Sequence, residues 1–470
     1  MSTESRSKVL ADARAAAVKP TPARERLALL FDGDSFVELD TFAKVGEEGA
    51  GVVTGYGAID GNPVFAFAQD IQATGGAVGK IHAAKVKKVY DLAEKTGAPV
   101  VGIFDSNGAR LSEGNDALAA YGDMLQSSSN ISGVVPQISL ILGTCAGTAA
   151  MIACNADFVV MSEKAEFFLS AAGIDGTEGA GSAANAAKSG AAHLVLPTEE
   201  EAIGAARNLI SLLPLNNLSA SPVCDFSAND AAAALSAACE NMAEADTMAI
   251  VEGVFDAASV VEIQKDFGAG SIAALATLGG FTCGVVATKG GKLSAADCAK
   301  MARLVSICDA YQIPVVTFVN TEGFEANGET ELAGAIRESA KLAHVYAQAT
   351  CVKVSVITGA AYGSAYIALA GTNAGADVTL AWPSAVISAL EPKTAVAFAH
   401  GGEITADHDR AAVEKEYMET TASALTAAAD GYIEDVIDPA ATRDVLLSTL
   451  DMLAGKRVTH LPRKHSNMPM

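Results

Sequence analysis

The chain has 470 residues, half of them apolar, a formal charge of −23 and a single Trp. That length suits two or three domains with a well-filled core. The acidity argues against a long nucleic-acid backbone as partner, but not against a phosphorylated small ligand held by a local basic cluster or a helix N-terminus.

The first twenty residues lack the apolar stretch of a signal peptide, and a cytoplasmic location is expected. Phe31-Asp32-Gly-Asp-Ser35-Phe-Val-Glu38-Leu39 then opens a strand-rich stretch from Gly51 to Phe67. TGGAVGKI, from Thr74 to Ile81, resembles a phosphate loop but has Thr74 where glycine is required and Ile81 where Ser or Thr is required. A helix is expected over Lys80–Lys95, with Lys80, Lys85, Lys87 and Lys88 on a solvated face. APVVGIFDSNGA brings a strand opened by Pro99. Behind it lies a small-residue turn, Asp105 to Gly114, in which Gly108, Arg110 and Glu113 can orient a loop over a pocket by ion pairing. The uncharged stretch from Ile131 to Asn155 has the length of a membrane span. Pro136, Gln137 and its Gly, Ser and Thr content make it a buried strand followed by a buried helix instead. Eight dispersed cysteines include no CxxC pair, which excludes a zinc ribbon, and most of them lie in apolar segments, as buried thiols in a reducing compartment do.

The second half repeats the first. Phe255-Asp256-Ala-Ala-Ser259-Val-Val-Glu262-Ile263 answers the Phe31 motif, Ala273–Thr288 the strands, and Ala295–Tyr311 the helix. IPVVTFVNTEGF, with Pro314, matches the Pro99 strand. AYGSAYIAL (Ala361 to Leu369) matches CAGTAAMI (Cys145 to Ile152), and GADVTLAWPSAVIS matches NADFVVMSEKAEFF. Corresponding points lie roughly 215 to 224 residues apart throughout. Short apolar runs such as Val134–Leu142 and Val352–Ile357 alternate with Ala-rich helices, which indicates α/β layering with strands buried on both faces. The repeats cover about residues 20–225 and 245–460. LPLNNLSASPVCDFSAND links them, and the domain boundary is placed between residues 1–235 and 236–470.

Chemistry concentrates at two equivalent strand-to-helix junctions. In the first, QISLIL runs into Gly143 and then Cys145-Ala146-Gly147-Thr148. In the second, VSVIT runs into Gly359 and then Tyr362-Gly363-Ser364-Ala365. Small residues let a ligand approach the backbone, and a helix start offers N–H groups without intrahelical partners. The junctions are therefore two candidate oxyanion holes, although tight helix–sheet packing uses similar turns. No GxSxG elbow, HExxH or metal-type Cys–His spacing is present, and His82, His193 and His344 are scattered. The candidate chemistry rests on main-chain donors, and no metal is expected.

The run from Gly55 to Leu125, with GVVPQISLILGTCAGTAA, KMARLVSICDAYQIPVVTFVNTEGF, AYGSAYIAL, GADVTLAWPSA and LPRKHSNMP, resembles the carboxyltransferase subunits of biotin-dependent acyl-CoA carboxylases and decarboxylases. Propionyl-CoA carboxylase beta chains and methylmalonyl-CoA decarboxylase alpha chains are the relatives it is similar to. The resemblance covers nearly the whole chain and implies an α/β fold, a tandem duplication of crotonase-like ββα domains. It implies an N-terminal acyl-CoA domain, a C-terminal biotin domain and an active site shared between protomers. The amides matching Gly147 and Thr148, and Ser364 and Ala365, would be the catalytic donors, one pair for a thioester enolate and the other for the ureido oxygen of biotin. Gly108, Ala109, Arg110, Gly363, Tyr366 and Ile367 would bind substrate, Ile367 lining the acyl pocket. The biotin nitrogen would take the α-proton, so no protein base is required.

The chain departs from the family at several points. Thr148 and Ser364 replace glycines of CAGGA and YGGAY, Asn107 replaces a glycine of DSGGAR, and SALEPK stands where AVMG is usual. An N–H donor survives such a change where φ stays negative. The Ala-Met-Lys-Met biotin-attachment motif is absent, since Ala299-Lys300-Met301 lacks the preceding Met, and no Gly-rich ATP module is found. The expected partners are a separate biotin carboxyl carrier protein and either a biotin carboxylase or sodium-pumping decarboxylase subunits, in a dimer-based homo- or hetero-oligomer up to a hexamer. Two alternatives stay open. One is a non-catalytic paralogue that co-assembles with an active subunit; the other is a crotonase-type hydratase or isomerase using Asp175 and Glu178.

Overall fold

In the computed structural model, which describes residues 3–46, 48–170, 179–405 and 408–469, the first half begins with β1 (Val37–Leu39), the short β2 (Lys44–Val45) and β3 (Glu48–Gly49), and the long pair β4 (Val52–Ile59) and β5 (Asn62–Gln69). Asp60 and Gly61 close that pair with φ of 48° and 78°. A two-residue turn with both φ positive matches the strand twist, and Asp-Gly is among the few dipeptides that adopt it cheaply. The chain continues through β6 (Val100–Phe104), β7 (Gln137–Ile141), β8 (Thr144–Ala146), β9 (Phe158–Ser162), β10 (Glu166–Phe168) and β11 (Leu194–Leu196). Among the described residues these form a sheet in the order β1-β4-β5-β6-β7-β9-β11, with β8 diverted to pair with β10. Pairing is antiparallel up to β5 and parallel beyond it. Parallel neighbours need long crossovers; the helices Lys80–Thr96, Asn115–Asn130 and Thr148–Cys154 supply them. β6, β7 and β9 are buried along their whole length, as a sheet covered on both faces requires.

The second half repeats this topology with β12 (Val261–Ile263), β13 (Ser271–Leu278), β14 (Phe281–Thr288), β15 (Val315–Thr321), β16 (Lys353–Tyr362), β17 (Val378–Ala381), β18 (Val386–Ser388) and β19 (Asp435–Val436). The order is β12-β13-β14-β15-β16-β17-β19. The turn between β13 and β14 is Gly279–Gly280, with φ of 62° and 82°. β16 does the work of both β7 and β8: its first part pairs with β15 and β17, and Ala360–Tyr362 pairs with β18 as β8 pairs with β10.

The chain divides into two units, Met1–Ala220 and Ser221–Met470. The division falls inside the linker and before the expected 235/236 boundary, because residues past Ala220 already edge the second sheet. Val223 bridges to Phe281, Ala228 bridges to Asp256, and the Cys224 N–H donates to the Gly280 carbonyl at 2.8 Å. The first core gathers Val86, Val89, Phe104, Ile141 and Met161. The second gathers Ile272, Val285, Val316, Val354 and Trp382, and the buried indole N–H of Trp382 donates to Thr442 Oγ1 at 2.9 Å, as a buried Trp requires.

Ile131 to Asn155 becomes β7, β8 and the helix after them. Among the described residues no helix is long and apolar enough to cross a membrane. All eight cysteines are free thiols. The solvated lysine face needs one correction. Lys80 is exposed, and Lys87 and Lys88 pair at the surface with Asp91 and Asp40. Lys85 is buried, because it shares the inward helix face of His82, Val86 and Val89. Its ammonium donates to the Val52 carbonyl at 3.0 Å, and burial pushes its pKa down. Lys300 repeats the arrangement: its ammonium donates to the Ser271 carbonyl at 2.8 Å, and burial pushes its pKa down to about 8.

The Phe-Asp motif of each half acts on the hairpin. The Gly61 N–H donates to Asp32 at 3.0 Å, and the Gly279 and Gly280 N–H groups donate to Asp256 at 3.1 and 2.9 Å. Arg207 and Arg443 complete the two clusters. Burial by itself raises the Asp256 pKa, but the Gly280 N–H and the Arg443 guanidinium outweigh it and hold the carboxyl below its usual range. A depressed folded-state pKa means stability that is present at neutral pH and lost as pH falls through that value. Asp256→Ala, which removes a buried carboxylate and leaves the half-buried Arg443 guanidinium without its anion, is expected to cost about 3 kcal/mol. Asp32→Ala, with a more exposed pair, is expected to cost about 1 kcal/mol or less. Denaturant titration of the two variants at pH 7 and pH 3 checks both the ranking and the shrinkage of the Asp256 effect in acid.

Candidate active site

Each unit builds its candidate site from two pieces, the loop after the Pro-opened strand and the strand-to-helix turn. In the first unit Ser106 organises the loop. Its Oγ donates to the Gly76 carbonyl at 2.8 Å and accepts the Gly108 N–H at 3.0 Å. The Asn107 N–H goes to the Gly75 carbonyl, and Val78 is bridged on both sides by Gly108 and Arg110. The amides of Asn107, Gly108 and Arg110 are thus committed, while that of Ala109 makes no main-chain hydrogen bond among the described residues. Ala109 packs against the core cluster that contains Cys145 and Ala149. The Ser106 N–H donates to the Thr144 carbonyl at 2.9 Å, which ties loop to turn.

The turn is set by glycine. A Cβ on Gly143 would lie 2.0 Å from Asp105 Oδ1. That carboxylate is 8% exposed and receives Arg26 at 2.7 Å, and Arg26 also binds Glu199 and the Leu142 carbonyl. Gly147 follows with φ 60° and ψ −127°, a conformation that L side chains rarely adopt. Its N–H donates to the Phe168 carbonyl at 2.9 Å, and its carbonyl accepts from Ala150 and Met151. Of the expected Gly147–Thr148 pair, the Gly147 amide is therefore occupied. Thr148, in the first turn of its helix, keeps its amide without an intrahelical acceptor.

The second unit is built alike. Thr321 Oγ1 donates to the Gly291 carbonyl and accepts the Gly323 N–H. Glu322 and Glu325 amides are committed to Gly291 and Leu293, and Phe324 keeps the place of Ala109 with no main-chain acceptor among the described residues. Gly359 lies over Asn320 as Gly143 lies over Asp105, and Gly363, at φ 53°, takes the place of Gly147. Ser364 and Ala365 occupy the first turn of the helix Gly363–Leu369, so their equivalents in the first unit are Thr148 and Ala149. The two expected donor pairs are one residue out of register with each other.

Thr148 and Ser364 both have negative φ and exposed side chains, and neither caps its own helix. Tyr366 donates its hydroxyl to the Tyr432 carbonyl at 2.7 Å, and Ile367 is 56% exposed beside it. Arg110 is buried and meets Thr74 and Glu113, the ion pairing expected of this loop. His82 is buried; burial and then the positive charges of Lys85 and Arg110 lower its pKa to about 3, so its ring is neutral. Among the described residues no three His, Cys, Asp or Glu side chains are grouped to hold a metal ion. Asp175 and Glu178 lie outside the described residues. Sequence reasoning missed Phe324, which aligning the two repeats at Gly108 and Gly323 would have found. It also missed Arg26 and Asp105, which no local pattern connects.

Residues 20–468 match the family described as the carboxyl transferase domain. The chain is 38% identical to the alpha subunit of methylmalonyl-CoA decarboxylase from Veillonella parvula, over 95% of this chain and 93% of that protein. It is 36% identical to the carboxyltransferase subunit of propionyl-CoA carboxylase from Haloferax mediterranei, with the same coverage. Transcarboxylase 12S, whose solved structure is described as a hexamer assembly with hydrolysed methylmalonyl-coenzyme A bound, superposes with a TM-score of 0.93 at 32% identity, over 100% of this chain and 99% of that one.

The two glycines of the first turn fail for different reasons when substituted. Gly143→Ala collides with Asp105, an overpacking expected to cost about 1 to 3 kcal/mol. Gly147→Ala meets nothing nearer than 3.9 Å but strains the backbone by about 1 to 3 kcal/mol. In double-mutant cycles by urea denaturation, Asp105→Ala is expected to be strongly non-additive with Gly143→Ala and additive with Gly147→Ala.

Proposed function

This chain belongs to the carboxyl transferase domain family, and we propose that it is the carboxyltransferase subunit of a biotin-dependent enzyme acting on a short acyl-CoA. Its two units are crotonase-like, as in transcarboxylase 12S. The observation that carries the reading is the doubled turn, in which each unit holds one loop amide and one helix-start amide without main-chain acceptors among the described residues. Such donors act where charge develops, and they need no reorganisation at the moment of reaction.

In the first unit the Ala109 and Thr148 amides receive the thioester oxygen of the acyl-CoA as its α-carbon loses or gains the carboxyl group. Holding that oxygen lowers the barrier to the enolate, whichever direction the enzyme runs. In the second unit the Phe324 and Ser364 amides, with Ala365 behind them, fit a neutral carbonyl acceptor of the ureido type. Carried by a separate protein, carboxybiotin supplies the carboxyl group there in one direction, and uncarboxylated biotin accepts it in the other. Ile367 presents an apolar surface that suits a propionyl or acetyl chain, and one methylene is worth only about 1 to 3 kcal/mol of discrimination. Tyr366, fixed by Tyr432, and Gly363, which leaves room beside the turn, border the same place, while Gly108 and Arg110 shape the loop that carries Ala109. The relatives are named as subunits, and this chain acts with a biotin carboxyl carrier protein and either a biotin carboxylase or sodium-pumping decarboxylase subunits, in a dimer-based oligomer. Its free thiols suit the cytoplasm.

Purified protein with free biotin is expected to decarboxylate methylmalonyl-CoA or malonyl-CoA. Thr148→Pro removes one N–H at a helix position that tolerates proline, so it should lower kcat about 100- to 1000-fold while the fold stays intact. Failure of the unaltered protein to turn over any short dicarboxylic acyl-CoA refutes the assignment.

A further inference from the structure

The two units differ at a place where their surroundings match. In the second unit the helix Ala295–Ala310 is capped from within: Ser294 accepts the Asp297 N–H, and Asp297 accepts the Ser294 N–H. In the first, the equivalent helix Lys80–Thr96 has Gly79 at its N-cap and no capping side chain of its own. Its Lys80 N–H donates instead to Glu113 Oε2 at 2.7 Å, a residue of the loop region that carries Ala109. Glu113 also lies 3.4 Å from Arg110 Nε. Arg110, 8% exposed, donates from Nη2 to Thr74 Oγ1 at 2.7 Å. In the second unit the position of Arg110 is taken by Glu325, of opposite charge, so among the described residues the chain of contacts has no counterpart there.

Thr74 is itself an outlier. With φ 57° it is the first of three consecutive left-handed residues, followed by Gly75 and Gly76. A β-branched residue at positive φ is rare and persists only where its surroundings over-determine it. Asn107 packs over Gly75, whose added Cβ would lie 2.6 Å from Asn107 Nδ2. The Arg110 guanidinium thus adds a buried side-chain tie between the loop carrying Thr74 and the loop carrying Ala109, beside the main-chain bonds that already join them, with strain stored on one side and a helix start on the other.

We propose that Thr74, Arg110 and Glu113 are positioning residues for the acyl-CoA half of the reaction, fixing the Ala109 amide relative to the Thr148 turn. The proposal rests on the reading of those two amides as donors to the thioester oxygen. Small displacements at such a site are expensive: a shift of about 1 Å costs on the order of 100-fold in rate.

The test is steady-state kinetics of the full chain, varying methylmalonyl-CoA and free biotin separately, with Tm measured on the same samples. Arg110→Met and Glu113→Gln are expected to lower kcat/KM for the CoA ester about 10- to 100-fold, with KM for biotin unmoved. Thr74→Val, which keeps the shape but removes the acceptor, behaves like Arg110→Met, and Thr74→Ser retains activity. Thr74→Gly relieves the strained backbone and raises Tm by about 2 to 4 °C, yet lowers kcat/KM for the CoA ester. Wild-type kinetics in Thr74→Gly and Thr74→Val overturn the proposal. So does a fall in kcat that only tracks Tm, with both KM values unchanged. Should Arg110→Met not fold, Thr74→Gly and Thr74→Val decide alone. If the unaltered chain shows no turnover, the functional reading fails instead; calorimetric titration with methylmalonyl-CoA then judges the clamp, which requires Thr74→Val to weaken binding at least about 10-fold.

Discussion

Close approach without a Cβ is the constraint on which both candidate sites depend. At Gly143 and at Gly359 the side chain at the end of the neighbouring strand, Asp105 or Asn320, occupies the volume that any larger residue would fill. That packing brings the loop after the strand against the turn before the helix, so amides far apart in sequence share one end of the sheet. The rest of each unit supports this meeting. The parallel strands bring both pieces to the same edge, the crossover helices bury the sheet on both faces, and the Asp-gripped hairpin fixes the antiparallel start.

The two units meet the same constraint with different electrostatics. Asn320 is neutral and is satisfied by the Ala360 N–H at 3.0 Å. Asp105 is charged and is satisfied by Arg26, which Glu199 also holds. A buried ion pair contributes little net stability once desolvation is counted, but removing one partner is costly. The charged version therefore acts mainly as a lock on geometry, joining the helix Pro22–Leu30, the end of β6 and the start of the helix Glu199–Leu212. Duplication gave the two halves one frame, and divergence placed a stiffer, charged set of contacts around the first turn.

Much of this architecture was legible in the sequence because it is carried by local chemistry. Proline opens the strands, and apolar runs alternating with Ala-rich helices mark the buried parallel strands. The order and spacing of the repeat then fixed which segments correspond. What stayed hidden depends on distance or phase. Lys85 reads as one of several helix lysines until its face is placed against β4, and Arg26 and Asp105 have no pattern in common. The amide of Gly147 is an ordinary helix-start donor in sequence, yet the pairing of β8 with β10 engages it. The residues from 171 to 178, which include the Asp175 and Glu178 of the hydratase or isomerase alternative, lie outside the described structure.

The departures from glycine follow the same logic of backbone geometry. A main-chain donor does not depend on the side chain attached to its residue, so a site made of amides tolerates substitution wherever φ is negative and the side chain has room. Thr148 and Ser364 meet both conditions, with their side chains in solvent. Their neighbours Gly147 and Gly363, at φ 60° and 53°, do not, and both have stayed glycine. The pattern of what changed and what did not is the one backbone geometry dictates, with glycine kept where φ is positive and replaced where φ is negative.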